Sequence, residues 1–89
     1  MKDLADVQTE IDETTRRYGL FRSTHEGYGV LAEEVLELLL AIRTNDPIDI
    51  RTEAIQVAAV ATRIAMSLDN PDCLERSGCE TAEPATGEA

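Results

Sequence analysis

Three glutamates interrupt an otherwise apolar run. In "YGVLAEEVLELLLAI", from Tyr28 to Ile42, the charged residues are Glu33, Glu34 and Glu37. At ~100° per residue on a helix, Glu26, Glu33 and Glu37 fall within ~40° of one another, and Glu34 stands ~60–100° to one side. Leu36 and Leu40 flank this acidic seam and Val30 lies in its gap; Leu31, Val35, Leu38, Leu39 and Ile42 cover the opposite side. Glutamates on a helix ordinarily form a solvated face. A helix that is apolar nearly all round is instead expected to be buried, which would crowd and partly desolvate its carboxylates. Like charges at i, i+3 and i+4 repel, and burial penalises the ionised form further. A raised pKa, a basic partner or a bound cation removes the conflict. Basic partners are few, with eight Lys and Arg against eighteen Asp and Glu.

A second run supplies the complement. In "IRTEAIQVAAVATRIAMSL", Ile50 to Leu68, the residues Glu53, Gln56, Val60 and Arg63 share one helical stripe. Ile50, Ala54, Val57, Ala61, Ile64 and Leu68 run beside it. A short turn between two such helices predicts an antiparallel helical hairpin. Glu37 then comes level with Glu53, and the acidic seam faces the Glu53 stripe. Four carboxylates converging on one cavity make a hard, oxygen-rich site of the kind that suits Mg²⁺ or Mn²⁺, often together with substrate phosphates.

The elements that must position these groups are three helices. Leu4, Val7, Ile11 and Tyr18 recur at helical spacing and predict a first helix with one buried face. "GLFRST" breaks it. Ser23 stands three residues before Glu26, a capping-box pattern that starts the second helix near Thr24. That helix is expected to run to Arg43 or Thr44, where Asn45-Asp46-Pro47 ends it. Asp46 or Asp49 can cap the third. The fold class is therefore all-α: an antiparallel hairpin plus an N-terminal helix, completed as a bundle by oligomerisation, because 89 residues bury a modest fraction of their surface.

Residues 1–69 are read as the helical domain and 70–89 as an acidic flexible tail, with five acids, one base, two Pro and two Gly. The formal net charge of −10 argues against nucleic acid and anionic membrane as partners. It leaves a single nucleotide open, since a divalent cation reverses the local sign. No run approaches the ~18–20 apolar residues of a membrane span, so a soluble, cytoplasmic chain is expected. Two cysteines, Cys73 and Cys79, are too few for a disulfide framework and are expected as thiols. With one His, a Cys/His zinc site is not expected.

Glu34-Val35-Leu36-Glu37 preceded by Glu33, a short turn, and then Glu53-x-x-Gln56 resemble the MazG-like all-α nucleoside triphosphate pyrophosphohydrolases, small phage-type members above all. "HEGYGVLAEEVLEL" and "RTEAIQVAAVATRIA" carry the likeness, which covers roughly Thr24 to Leu68. The resemblance implies dimers or tetramers and Mg²⁺-dependent cleavage of a (d)NTP-like nucleotide between its α- and β-phosphates. It implies Glu34, Glu37 and Glu53 as metal ligands and Glu33 as a ligand or a base orienting the attacking water. The motif's last Asp falls here on Gln56, which brings no negative charge. Either the site works with fewer carboxylates, or the scaffold binds and sequesters a nucleotide without turning it over.

Three further residues have a ligand-directed reading beside a structural one. His25 can contact a phosphate or base, or be a solvent-exposed side chain. Arg63 can reach a phosphate or form a surface or interface salt bridge. Gln56 lies on the Glu53 stripe, within reach of the same ligand. Tyr28 and Phe21 can stack on a base, but core or interface packing is the expected role. Arg16 and Arg17 suit the C-terminal end of the first helix dipole.

Overall fold

The computed structural model describes residues 2–71 and 73. It holds three helices: α1, Lys2–Tyr18; α2, Thr24–Thr44; and α3, Pro47–Ser67. There is no strand among the described residues.

Local chemistry sets each boundary. Gly19 follows α1 with φ +77°, a left-handed conformation that costs glycine little, and its N–H donates to the Thr15 carbonyl at 2.8 Å. Ser23 caps α2, its hydroxyl accepting from the Glu26 N–H at 3.1 Å. The Glu26 carboxylate reaches back to accept from the Arg22 N–H at 2.7 Å, one residue before the cap itself. Asn45, at φ 61°, ends α2 and donates to the carbonyls of Ala41 and Ile42. Asp46 caps α3 by accepting from the Ile48 and Asp49 N–H groups, with Pro47 in the first turn. The proline that stops one helix thus opens the next, where its missing N–H costs nothing. α3 thus begins at Pro47, under the earlier of the two expected caps, three residues before Ile50.

α3 is the central element, packed on α2 along one side and on α1 along another. The inward positions of α2 are Gly27, Val30, Leu31, Glu34, Leu38 and Ala41, a single stripe at steps of three and four. Gly27 is required for the approach: a Cβ there would lie 2.7 Å from Ile64 Cγ1 and 3.1 Å from the Phe21 ring. Phe21, on the link between α1 and α2, is buried and held by its N–H donating to Ser67 Oγ at 2.9 Å. The Ser67 hydroxyl in turn donates to the Arg63 carbonyl at 2.7 Å.

Two expectations about burial are revised. α2 is not buried all round within one chain. Val35, Leu36, Leu39, Leu40 and Ile42 are exposed, because α3 covers one side of α2 and nothing in the described chain covers the other. On α1, Ile11 is buried and Val7 half-buried, but Leu4 and Tyr18 are exposed. The stripe that α1 turns inward contains Glu10, Thr14 and Thr15 instead. Arg51 on α3 pairs with Asp3 and Asp6 on α1, an exposed cluster that solvent screens, so apolar contact around Ile11 positions α1 more than charge does.

The expected tail falls mostly outside the described residues. Cys73 lies beyond the expected boundary, yet its side chain is fully buried. Cys79 lies outside the described residues. No helix of the described residues is long and apolar enough to cross a membrane.

Candidate functional site

The expected seam of Glu26, Glu33 and Glu37 is exposed; the glutamate that α2 turns inward is Glu34, whose flanking inward residues are Leu31 and Leu38. A carboxylate there is carried into the contact with α3 by the same periodicity that carries the leucines. Glu37, one turn further, is exposed, and Glu53 is half-buried on the second turn of α3. Each of the three offers one carboxylate oxygen, and these oxygens all lie within 4.8 Å of one another. Among the described residues, no Lys or Arg forms an ion pair with any of them.

The electrostatics follow from that crowding. Burial first, then the charges of Glu37 and Glu53, raise the Glu34 pKa above the ordinary carboxylate value, with smaller contributions from Glu10 and Glu33. Glu53 is raised by burial and then by the nearby Glu37 carboxyl, with a smaller contribution from Asp49. One oxygen of Glu34 and one of Glu53, each Oε1, are buried with no hydrogen-bond partner. Buried polar atoms of native proteins are nearly always satisfied, so two orphaned oxygens in one cluster call for a partner outside the chain. Three convergent carboxylate oxygens suit a hard divalent cation.

The cluster stands between two recesses. A cavity of about 640 Å³ opens beside Glu34; Gln56, Val60, Val30, Phe21 and Arg63 form part of its wall. A shallower recess on the other side is lined by Glu37, Glu53, Asp49, Leu40 and Thr44. The larger one lies within the ~300–1,000 Å³ range of small-molecule sites. No protein-family model, curated protein or solved structure matches this chain.

The remaining sequence-derived residues are distributed as follows. Glu33 is exposed and is not among the three convergent carboxylates. His25 is exposed in the first turn of α2. Gln56 is half-buried and borders the large cavity together with Glu34. Arg63 is buried, 4% exposed; its Nη2 donates to the Gly19 carbonyl at 2.7 Å, and its guanidinium carbon lies 4.6 Å from the centre of the Phe21 ring. Burial lowers its pKa, opposed by the charges of Glu10 and Glu26. Of the two aromatics, Phe21 is core and Tyr28 is exposed.

Glu10 is the residue that sequence reading passed over. It lines the same cavity as Glu34 and Gln56, and its charge is felt at both Glu34 and Arg63. The signal was its place beside Ile11 and three residues after Val7, on the edge of the only buried stripe α1 has.

Proposed function

We propose that this chain is a Mg²⁺-dependent nucleotide pyrophosphohydrolase that cleaves a (d)NTP-like substrate between its α- and β-phosphates. The observation that carries this reading is the convergence of one carboxylate oxygen each from Glu34, Glu37 and Glu53 within 4.8 Å, with Glu34 bordering a nucleotide-sized cavity. The orphaned oxygens of Glu34 and Glu53 support it from the chain's side, as acceptors in want of a cation. These three residues would hold the metal, Mg²⁺ or Mn²⁺, which when bound offsets phosphate charge and supplies Lewis-acid activation. The apolar walls at Val30, Val60 and Phe21 would exclude water from the rest of the ligand. Without a cation, the same carboxylates repel a triphosphate.

The reading includes a homo-oligomer, dimer or tetramer, working in the cytoplasm. In it α2 and α3 act as an antiparallel hairpin, and a second copy covers the outer side of α2. The support is the set of apolar residues there, Val35, Leu36, Leu39, Leu40 and Ile42, each between 43% and 54% exposed. Single exposed leucines are ordinary; a continuous apolar helix side is not.

Gln56 favours a second reading on the same scaffold, a protein that binds and sequesters a nucleotide without hydrolysing it. An amide beside Glu34 brings no charge and is a weaker ligand for a hard cation than the carboxylate of the motif. One experiment separates the two. Purified protein is incubated with a panel of nucleoside triphosphates and Mg²⁺, pyrophosphate is assayed, and mass spectrometry identifies what remains bound. Pyrophosphate release that disappears in Glu37→Gln is the expected result. Intact nucleotide recovered from the protein would favour the binder. Neither release nor binding with any nucleotide would remove both.

A further inference from the structure

We propose that Glu10 and Gln56 hold the sugar of the ligand and select a ribonucleotide over its 2′-deoxy counterpart, an inference that rests on the nucleotide reading above. α3 serves as a ruler. Counting from Glu53 at 1.5 Å per residue, Gln56 lies about 4.5 Å along the helix, Val60 about 10 Å and Arg63 about 15 Å. With phosphates at the carboxylate cluster, the first station beyond them is the level of Gln56, and a nucleotide carries its sugar there. The base then reaches the apolar stretch at Val30 and Val60, toward Phe21.

Glu10, on α1, stands at the same level. It borders the large cavity with Gln56 and Glu34, and a smaller recess with Gln56, Ile55 and Thr52. Both Glu10 and Gln56 are half-buried, and no hydrogen bond or ion pair within the described chain engages either side chain's polar atoms. They are thus two adjacent polar groups, open to the cavity and unused by the fold. Their chemistry is selective. An anionic carboxylate repels a phosphate and accepts from neutral donors. The vicinal 2′- and 3′-hydroxyls of a ribose present two such donors, which one carboxylate can accept together. The Gln56 amide can donate to or accept from the same hydroxyls. A 2′-deoxy sugar leaves part of this acceptor set desolvated and unpaired, the situation in which a polar site discriminates most strongly. The amide at the position of the motif's Asp acquires a role on this view: it faces a hydroxyl.

The test uses α,β-methylene triphosphates, which resist cleavage at the bond in question, as ribo and 2′-deoxy pairs for the four bases. Binding is measured by calorimetry with Mn²⁺, on the wild-type chain and on Glu10→Ala, with circular dichroism to verify folding. Mn²⁺ alone, titrated by electron paramagnetic resonance, reports the carboxylate cluster separately. The expected result is a ribo preference of about tenfold in the wild type, the size of one lost hydrogen bond to a charged group. In Glu10→Ala that preference falls close to one while Mn²⁺ binding persists. Equal affinity of the wild type for both sugars overturns the proposal. So does an equal loss for both in the variant, or a loss of Mn²⁺ affinity, which would make Glu10 part of the metal site. A wild type that binds no nucleotide overturns the nucleotide reading itself and this inference with it.

Discussion

Arg63 donates from Nη2 to the carbonyl of Gly19, 44 residues earlier in the chain and 2.7 Å away. The bond ties the end of α1 to the last turns of α3, and the guanidinium fills the space beside the Phe21 ring. A neighbouring tie, Phe21 N–H to Ser67 Oγ, holds the same link from the other side. The wall of the large cavity is therefore built by the two contacts that also anchor the α1–α2 link.

Removing either tie should destabilise the fold. Arg63→Ala deletes a buried side chain, its hydrogen bond and its stacking contact, and is expected to cost about 2–4 kcal/mol. Ser67→Ala leaves the buried Phe21 N–H without an acceptor, at about 1–3 kcal/mol. Urea denaturation followed by circular dichroism measures both; unchanged midpoints would mean that the link is held by something else.

Gly27 and Gly29 sit two residues apart on α2 and should respond in opposite directions. Gly29→Ala meets nothing within 4 Å and gains helix propensity, an expected stabilisation of about 0.5–1 kcal/mol. Gly27→Ala gains the same propensity but drives a methyl group into Ile64 Cγ1, the stiff root of a β-branched side chain. Overpacking of this kind costs about 1–3 kcal/mol, so a net loss is expected. Thermal melts of the two variants check the sign of each.

The raised pKa values of Glu34 and Glu53 make a statement about stability and pH. An acid whose folded pKa lies above its unfolded value binds protons more tightly when folded. Its contribution is intact below the ordinary Glu value near 4.5 and is lost as pH rises toward the raised value. Glu37, Glu10, Glu33 and Asp49 supply the repulsion behind burial. The ion-free chain should thus lose stability across that window, and Glu34→Gln/Glu53→Gln should flatten the loss. Melting temperatures from pH 4 to 8, with and without Mn²⁺, test this. Parallel wild-type and variant profiles would refute it.

The outer side of α2 should govern assembly. Leu36→Glu/Leu40→Glu replaces two half-exposed leucines with charges and is expected to reduce a dimer or tetramer to monomer, with helicity retained. Light scattering coupled to size-exclusion chromatography reads the mass. A wild-type chain that is already monomeric at high concentration would sink the oligomer.

Much of the framework was legible in the residues alone. The bounds of α2 follow from Ser23 and Asn45, and the cap of α3 from Asp46, because capping is local chemistry between groups two to four residues apart. Asp46 and Asp49 were both open as caps of α3, and the structure takes Asp46, with Pro47 in the first turn. Reading Leu4 and Tyr18 as buried failed: periodicity shows that a stripe exists but not how much of it a neighbour covers.

The sequence by itself determined that acidic groups would project from two successive helices, since spacing of three and four residues places Glu34 with Glu37, and Glu53 with Gln56, whatever surrounds them. It could not decide which glutamate turns inward. That choice depends on the rotation of α2 about its own axis, set where Gly27 and Ala41 meet α3, and it turned Glu34 inward and left Glu33 exposed. Nor could it bring Glu10 into the same cavity or bury Arg63 against Phe21. Those juxtapositions join residues more than twenty positions apart, and only the packing of one helix on another specifies them.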